Sequence, residues 1–360
     1  MELKSTNNFF NYSTSLPGLL YRMKSSLVIS TYQAGKVIIV SSLDGEHIRL
    51  YGKNFSRPMG LCISGSKLAV ASSQQLNVFS SSREMAFKYP KKPKFYDGMF
   101  FPQVTYHTGK ADIHEIEWGN EELWCVNTAF SCLSVMDDVN HFKAKWKPHF
   151  ITELSPDDKC HLNGMAMLDG EPKVVSLLGM ADEKKGWKPN MLEGGLLMDV
   201  PSNTVIADSL PIPHSPKYDE GKLSFLLSGT GKIMQLDQAT NEMKEIASAN
   251  AFLRGMDIYK DMILVGKSGL RKDSSMYDKL SFPKEGKPGV GIFNKNSGEE
   301  IAQINFLQRV EEIFDVKVMP GLIRPVIVDD TEELSAQGFK LPGGAYFWEN
   351  LTTEATDTKK

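Results

Sequence analysis

The chain has 360 residues, a formal charge of −3 and a hydrophobic fraction of 41%. This composition is typical of a globular protein and excludes collagen-like, wholly disordered and disulfide-dense chains. The nearly balanced charge gives no overall attraction to nucleic acid or to an acidic membrane surface, so we predict neither as a partner.

Targeting and membrane signals are not recognisable in the sequence. The first eight residues have no apolar segment behind a basic start, which argues against a secretory signal. No run approaches the ~18 apolar residues that a membrane-spanning helix needs. The four cysteines show no CxxC spacing. We therefore predict packed, reduced thiols and a cytoplasmic location.

A sequence unit recurs along the chain. Each copy has a polar tip, an apolar stretch, a polar turn and a second β-rich run. The copies are anchored at Gly60, Glu115, Gly164, Pro216, Gly255 and Asp315. A repeat of roughly 40–50 residues built from short strands is typical of β-propeller blades. Helical periodicity is absent from every long window except 301–312. We predict an all-β, six-bladed β-propeller.

The two ends of the chain are predicted to close the ring. Apolar runs at 27–32 and 36–40 precede the first copy, and they would complete the sixth blade so that no sheet edge stays open. We predict a lead-in over 1–24, one propeller domain over 25–350 and a disordered tail over 351–360. The polar insertion 271–287 is predicted to be a blade-connecting loop or lid.

The polar tips are predicted to meet at a central channel. The innermost strand of each blade lines this channel, so residues far apart in sequence come together at its mouth. Three of the seven histidines lie on consecutive tips, which is more than chance placement gives. The candidate residues on the tips are Arg57, His114, Glu115, His161, Asn163, His214, Ser215, Arg254, Glu312 and Asp315.

A metal centre is one prediction from these tips. Three imidazoles and a carboxylate suit a divalent transition metal (Zn, Fe, Mn or Cu) better than calcium. We predict His114, His161 and His214 as the ligands, with an open position that would polarise water or substrate. Glu115 and Glu312 are the candidates for a further ligand or general base.

The remaining tip residues are predicted to bind substrate. Arg57 and Arg254 suggest an anionic substrate, and Asn163 or Ser215 would donate hydrogen bonds to developing negative charge. Two alternatives stay open: a polar pocket without metal, and histidines that only pin blades together by donating to a neighbouring carbonyl. The arginines could equally form salt bridges between blades.

Strand parity limits these assignments. Alternate residues face opposite ways, so His114 and Glu115 cannot both face the channel from a regular strand. The residues that share one orientation, counted back from the anchors, are His114, His161, Asn163, Ser215, Arg254 and Glu312. His214 has the other parity, but it lies between two prolines, where regular extension is disfavoured.

Three further motifs have better structural explanations. Residues 228–232 lack the spacing of a phosphate-binding loop and favour a tight turn. The basic, aromatic run 88–96 is interpreted as a solvated loop rather than a single-strand nucleic-acid surface. Cys132 and Cys160 could act as thiolates, but the one-residue offset of Cys160 from His161 turns it away from the channel.

Several of these tips also carry a family resemblance. The stretch 106–321 resembles an uncharacterised bacterial family of conserved hypothetical proteins, some of whose members are joined to tetratricopeptide repeats. The segments that carry it include Asp112-Ile113-His114-Glu115, Phe130-Ser131-Cys132-Leu133, Cys160-His161-Leu162-Asn163-Gly164, Pro213-His214-Ser215-Pro216 and Glu312-Ile313-Phe314. The chain departs from the family pattern at Ala129, Lys159 and 217–218, where the family has Arg, Arg and Arg-Trp. The resemblance implies no known activity.

A more distant architectural similarity is to the gluconolactonase and regucalcin propellers. Those enzymes place carboxylates and Asn around a divalent ion, so the tip histidines argue against calcium-dependent lactone hydrolysis here. Our preferred hypothesis is a metal-dependent hydrolase, lyase, isomerase or oxygenase acting on a small polar, anionic metabolite. The alternative is a non-enzymatic propeller that binds a partner protein or peptide. A narrow polar pit would favour the enzyme and a broad apolar face the docking platform.

Overall fold

Short antiparallel strands dominate the structure, a computed structural model that describes residues 2–5, 8–269, 280, 286–328 and 333–348. Six sheets of at least four strands surround a central channel, so the predicted six-bladed β-propeller is confirmed. No helix within these residues is long and apolar enough to cross a membrane.

The first five blades follow one another along the chain, each starting with its innermost strand. Blade 1 consists of Leu61–Ser64, Lys67–Ala71, Gln75–Ser82 and Gly98–His107. Blade 2 consists of Ile113–Gly119, Glu122–Asn127, Cys132–Val135 and Lys143–Trp146. Blade 3 consists of Leu162–Leu168, Glu171–Leu177, Gly195–Asp199 and Thr204–Leu210. Blade 4 consists of Pro213–Asp219, Lys222–Leu227, Lys232–Asp237 and Glu242–Ser248. Blade 5 consists of Phe252–Tyr259, Met262–Ser268, Gly289–Asn294 and Glu300–Phe306.

Blade 6 joins the two ends of the propeller. Its inner strand is Asp315–Pro320, and its outer strands are Ser25–Thr31, Lys36–Ser41 and Arg49–Asn54. The inner strand pairs antiparallel with Ser25–Thr31, with Asp315 opposite Ser30. The prediction that an N-terminal strand closes the ring is confirmed, and closure leaves no open edge at this seam.

Additional elements cover the outer edges of two blades. Leu3–Ser5 and Phe10–Ser13 extend blade 5, and the helix Ser15–Met23 leads from there to blade 6. Pro325–Ile327 adds a parallel strand to blade 1. The remaining elements are the helices Arg83–Lys88 and Glu333–Gln337, the 3₁₀ helix Lys188–Asn190, and the hairpin strands Gly338–Leu341 and Gly344–Phe347.

The hydrophobic core lies between the blades, because strands near the axis are covered on both faces. All seven residues of Ser25–Thr31 and of Met262–Ser268 are buried. Leu27 of blade 6 packs in one cluster with Leu264 and Ile292 of blade 5. Removing this apolar surface from water stabilises the ring by about 25 cal/mol per Å² buried.

Two segments predicted from the sequence lie wholly or mostly outside the described residues, and a third is in part a strand. The proposed tail 351–360 lies outside the described residues, and so does the insertion 271–287 except for positions 280, 286 and 287. The window 301–312, which the sequence left open to a helix, contains most of the strand Glu300–Phe306.

Candidate functional site

A hydroxyl group at or just after the end of a blade's second strand repeatedly joins that blade to the next. Each hydroxyl donates to a backbone carbonyl at the start of the neighbouring inner strand. The four donor–acceptor pairs are Ser30–Met59 (2.5 Å), Thr128–Leu162 (2.6 Å), Ser228–Leu253 (2.5 Å) and Ser268–Ile313 (3.0 Å). We call these four contacts the hydroxyl braces.

The residue after each accepting carbonyl stands at the mouth of the channel. For blades 2 and 4 the equivalent residue is found from the strand pairing. Ile113 pairs with Asn127 in blade 2, and Pro213 pairs with Leu227 in blade 4. The residues that follow, His114 and His214, therefore take the same position. The six equivalent residues, which we call the channel-mouth ring, are Gly60, His114, Asn163, His214, Arg254 and Phe314. Glycine is required in blade 1, since a Cβ on Gly60 would lie 2.9 Å from the carbonyl oxygen of His114.

A β-bulge interrupts the inner strands of blades 2 to 5 next to the ring. The extra residue breaks the alternation of side chains. His214 therefore occupies the same ring position as His114. Ser215, at φ 49°, turns toward blade 5 and accepts a hydrogen bond from the amide of Gly255 at 3.1 Å. Ser215 therefore does not have the orientation that its parity predicts, and the irregular backbone predicted at His214 is present.

The hydrogen bonds of His214 fix its tautomer. Nδ1 lies 2.9 Å from the Ser228 hydroxyl and 3.3 Å from the carbonyl oxygen of Ile212. The single proton of that hydroxyl goes to the Leu253 carbonyl. Both oxygens around Nδ1 must therefore accept, so Nδ1 carries the proton and Nε2 the lone pair.

His114 repeats this arrangement in blade 2. Its Nδ1 lies 2.8 Å from the Thr128 hydroxyl and 3.1 Å from the carbonyl oxygen of Asp112. Thr128 uses its proton on the Leu162 carbonyl. His114 is therefore also protonated on Nδ1, and its Nε2 is an acceptor.

Burial keeps both imidazoles neutral near pH 7. It lowers the pKa of His114 to about 4, against the opposing charge of Asp112 and with further lowering by Arg254 and His161. Burial likewise lowers the pKa of His214 well below its usual value, with Arg254 adding to the effect. Charge from a neighbouring cation disfavours the imidazolium form.

His161 lies beside the ring, two residues before Asn163. Its ring centroid is 5.0 Å from that of His114 and 4.3 Å from that of Trp187. Nδ1 is 3.0 Å from the Asp158 carboxylate, to which the indole of Trp187 also donates at 3.2 Å. This arrangement orients the imidazole in the way that the carboxylate of a His–Asp pair does in general-base catalysis.

Arg254 supplies a cation at the mouth. Its guanidinium carbon lies 4.0 Å from the centroid of the Phe314 ring, which is a close cation–π contact. Burial lowers the pKa of Arg254, and the charges of Glu312 and Asp112 act in the opposite direction. Arginine remains protonated in proteins, so the positive charge is permanent.

Three adjacent ring residues hold buried polar atoms without a hydrogen-bond partner among the described residues. These atoms are Nδ2 of Asn163, Nε2 of His214 and Nε of Arg254. Asn163 and His214 are only 4% and 3% exposed. An unpaired buried polar atom is costly, so these three atoms are available to hydrogen-bond with a ligand or with water.

A layer of charged side chains lies deeper in the channel. Its members are Glu115, Glu117, Lys217, Asp257, Asp315 and Lys317. Lys217 forms ion pairs with Glu115 and, at 2.5 Å, with Glu117. Lys317 lies 3.2 Å from Glu117 and 3.7 Å from Asp315. The layer therefore contains four carboxyl groups and two ammonium groups, and each ammonium group lies against two carboxyl groups.

Two predicted catalytic residues take part in contacts between blades. Glu115 accepts from the amide of Met165 in blade 3 at 2.8 Å, besides its ion pair with Lys217. Ser215 binds the amide of blade 5 as described above. The structure thus uses both side chains to hold neighbouring inner strands together.

Arg57 and Glu312 border the mouth rather than line it. The guanidinium of Arg57 is exposed and lies 5.9 Å from the Tyr32 ring. It borders an open cavity of about 600 Å³ whose lining residues are Tyr32, Ser56, Arg57, Met59, Ser73, Gln74, Lys110 and Asp112. Met59 precedes the ring residue Gly60, and the Tyr32 ring is 5.7 Å from that of Phe314, so two residues of the cavity wall lie next to members of the ring.

The surroundings of His114, His161 and His214 bear on the predicted metal centre. Each has Nδ1 held by a hydroxyl, carbonyl or carboxylate, as metal-ligating histidines often do. Yet no three or more His, Cys, Asp or Glu side chains in the described part of the chain are placed to hold a metal ion. Arg254 would also repel a cation. The described residues therefore do not fit a three-histidine centre. Bound Zn, Fe, Mn or Cu stays a prediction from the sequence, and elemental analysis of wild type and of His161→Ala tests it.

Sequence reasoning missed several residues of the site. Phe314 is an apolar member of the ring, and Asp158 and Trp187 both contact His161. Thr128 and Ser228 each follow their histidine by 14 residues. That repeated spacing was a recognisable signal, whereas the contacts of Asp158 and Trp187 depend on loop conformation.

Comparisons with known proteins identify the family and the fold. No curated protein sequence matches the chain. A solved structure titled "Crystal structure of Nidogen/Laminin Complex" is similar over 82% of this chain and 99% of that chain, with a TM-score of 0.53 and 9% identity. This likeness supports the fold alone. Residues 14–328, most of the chain, match one family. The chain therefore belongs to the family described as Domain of unknown function (DUF4915).

Proposed function

We propose that the channel mouth binds a small anionic metabolite and acts on it by proton transfer, as a hydrolase, lyase or isomerase. The observation that carries the proposal is the set of unpartnered buried atoms on Asn163, His214 and Arg254. They belong to three consecutive blades and to one ring position. Such convergence of polar atoms in a concave site is typical of ligand binding.

The charge of the site favours an anion. Arg254 brings a permanent positive charge into a half-buried position, and its Nε can donate to a carboxylate. Asn163 Nδ2 supplies a second donor, since Oδ1 of the same amide already accepts from Ser176 at 2.6 Å. His114 and His214 are neutral, so they do not add repulsive or attractive charge.

His161 is the general base in this proposal. Hydrogen bonding of Nδ1–H to Asp158 leaves the lone pair on Nε2 and stabilises the imidazolium that forms when a proton is taken up. The indole of Trp187, whose centroid lies 4.3 Å from that of the imidazole, limits rotation of the ring. Asn163 and Arg254 would stabilise negative charge that develops on the substrate.

The open cavity beside blade 1 provides the route to the mouth. Its volume of about 600 Å³ lies within the range of small-molecule sites. Arg57 and Lys110 on its wall would attract an anion from solution, with an effect that falls as salt increases.

Binding of small carboxylic acids by wild type, Arg254→Met and Arg49→Met tests the proposal. Arg49 lies on the outermost strand of blade 6 and serves as the matched control. We expect at least one acid in a panel to bind wild type and the control equally. Its affinity for Arg254→Met should be at least about tenfold lower, because a charge-assisted hydrogen bond is lost. Equal binding by all three proteins, or none by wild type, would overturn the proposal.

Catalysis is tested separately with the same small carboxylic acids. Acids that bind are incubated with wild type and with His161→Asn, and turnover is followed by proton NMR. We expect turnover by wild type and a loss of at least about 100-fold in the variant, since general-base catalysis contributes that much. Unchanged turnover in His161→Asn would remove His161 from the proposed role.

A further inference from the structure

We infer that the ligand of the channel mouth is a hydroxy acid, whose hydroxyl donates to His214 while its carboxylate accepts from Arg254 and Asn163. This inference rests on the proposed function and names its substrate class. It follows from the direction of the hydrogen bonds at the ring, which the presence of polar residues alone does not reveal.

His214 is the acceptor that requires a donor from the ligand. Nδ1 faces two oxygens that can only accept, because Ser228 uses its proton on the Leu253 carbonyl. The neutral ring therefore presents an unprotonated Nε2, which is buried and has no partner among the described residues. A carboxylate alone cannot satisfy this nitrogen, because an ionised carboxylate has no proton to donate.

The other two unpartnered atoms have the opposite requirement. Nε of Arg254 and Nδ2 of Asn163 are both donors. The three residues occupy the same ring position on consecutive blades, and the inner strands of blades 3, 4 and 5 contact one another. A single small molecule that carries acceptor oxygens beside a donor group satisfies all three.

Electrostatics selects a hydroxyl over an ammonium group as the donor. The charge of Arg254 lowers the pKa of both His114 and His214 by disfavouring a second cation beside it. An ammonium group bound to His214 would meet the same repulsion. A neutral hydroxyl donates without that cost, and a hydroxyl next to a carboxylate matches the alternation of acceptor and donors in the ring.

His114 offers an acceptor for a second hydroxyl of the ligand. Thr128 and the Asp112 carbonyl give it the same Nδ1–H tautomer, so its Nε2 is also an acceptor at the mouth. A dihydroxy acid could therefore donate to both imidazoles. The test series accordingly includes acids with one and with two hydroxyls.

Two measurements test the inference. The first is the ¹⁵N chemical shifts of His114 and His214 at pH 7 in the ligand-free protein, assigned by single His→Gln variants. We expect a protonated Nδ1 and an unprotonated Nε2 in both rings. A protonated Nε2 on His214 would overturn the inference, whatever ligand binds.

The second measurement compares matched ligands. Glycolate, the two lactates and D-glycerate are titrated beside acetate, propionate and the O-methyl ether methoxyacetate, which keep the carboxylate but lack the donor. We expect the best hydroxy acid to bind at least about tenfold more tightly than its deoxy and O-methyl counterparts, since a site built to bind a hydroxyl rejects analogues without one.

Protein variants identify the source of that preference. His214→Phe should lose the discrimination while it still binds carboxylates. Ser228→Ala removes the hydroxyl that contacts Nδ1 of His214 but keeps Nε2, and should retain the discrimination. Equal affinity for both ligand series in wild type overturns the hydroxy-acid inference and leaves anion binding standing. If no acid of either series binds, the proposed function fails together with the inference.

Discussion

The guanidinium of Arg254 lies 4.0 Å from the ring centroid of Phe314, across the seam between blades 5 and 6. The aromatic face holds the cation at the mouth of the channel. The held charge acts on its neighbours, because it contributes to the lowered pKa of both His114 and His214.

Replacement of Arg254 by Met should therefore raise both histidine pKa values. The pKa of His114, about 4 in the intact site, rises because the imidazolium form no longer meets a neighbouring cation, although burial still holds it below the usual value. Proton NMR titration of the imidazole C–H signals measures the change. Arg49→Met should leave both titrations unaltered, and a pKa of His114 that does not move would show that Arg254 exerts no field there.

The hydroxyl braces should contribute measurably to stability. Ser228→Ala leaves the Leu253 carbonyl and the Nδ1–H of His214 without their shared partner in a buried seam. We expect a loss of about 1–3 kcal/mol in the free energy of unfolding, measured by urea denaturation. Thr105→Val, which removes an exposed hydroxyl from the outer strand of blade 1, should change it by less than about 0.5 kcal/mol. Similar losses in both variants would contradict a specific role for the brace.

The sequence predicted the architecture better than the chemistry of the mouth. Repeat spacing and strand patterns located the blades and the closing strands at 27–40, because a propeller has one blade per repeat. The side-chain directions of His214 and Ser215 depended on a β-bulge, which alternation cannot anticipate. The helix Ser15–Met23 was also missed, since Pro17 and Gly18 obscure the one-turn spacing of its buried Leu16 and Leu20.

Lys317 should be critical for the charged layer below the mouth. It is buried between Glu117 at 3.2 Å and Asp315 at 3.7 Å. Lys317→Met would remove the cation beside Asp315 and leave Glu117 with Lys217 alone. We expect a loss of about 3–5 kcal/mol in the free energy of unfolding at pH 7. Lys232→Met breaks the exposed pair with Glu245 and should cost less than about 1 kcal/mol. If Lys317→Met also lowers the free energy of unfolding by less than about 1 kcal/mol, Lys217 alone is enough to compensate the buried carboxylates.

The cysteines should be chemically inert in the folded protein. All four are buried and unpaired, and burial raises the pKa of Cys132 and Cys160 to about 12. The thiolate is the reactive form, so very little is present at pH 8. We expect no reaction with Ellman's reagent within minutes for the native protein and four equivalents after unfolding in guanidinium. Rapid labelling of one thiol in the native state, mapped by mass spectrometry, would reopen a role for Cys132 or Cys160.

Asp315 should make stability fall as the pH rises from about 4 to about 7. Burial raises the pKa of its carboxyl from 3.8 to about 7, against the opposing charge of Lys317. Between these two values the folded state binds a proton that the unfolded state releases, so the free energy of unfolding decreases with pH over that window.

Asp315→Asn removes this titration while an amide oxygen can still accept from the Leu61 amide, which the carboxylate binds at 2.9 Å. Urea denaturation of both proteins at pH 4, 5.5, 7 and 8 isolates the contribution of Asp315 as the difference between the two curves. We expect the variant to gain stability relative to wild type as the pH rises, with the difference levelling off above pH 7. A constant difference across the range would mean that Asp315 has the same pKa in the folded and unfolded chains, and that Lys317 offsets its burial completely.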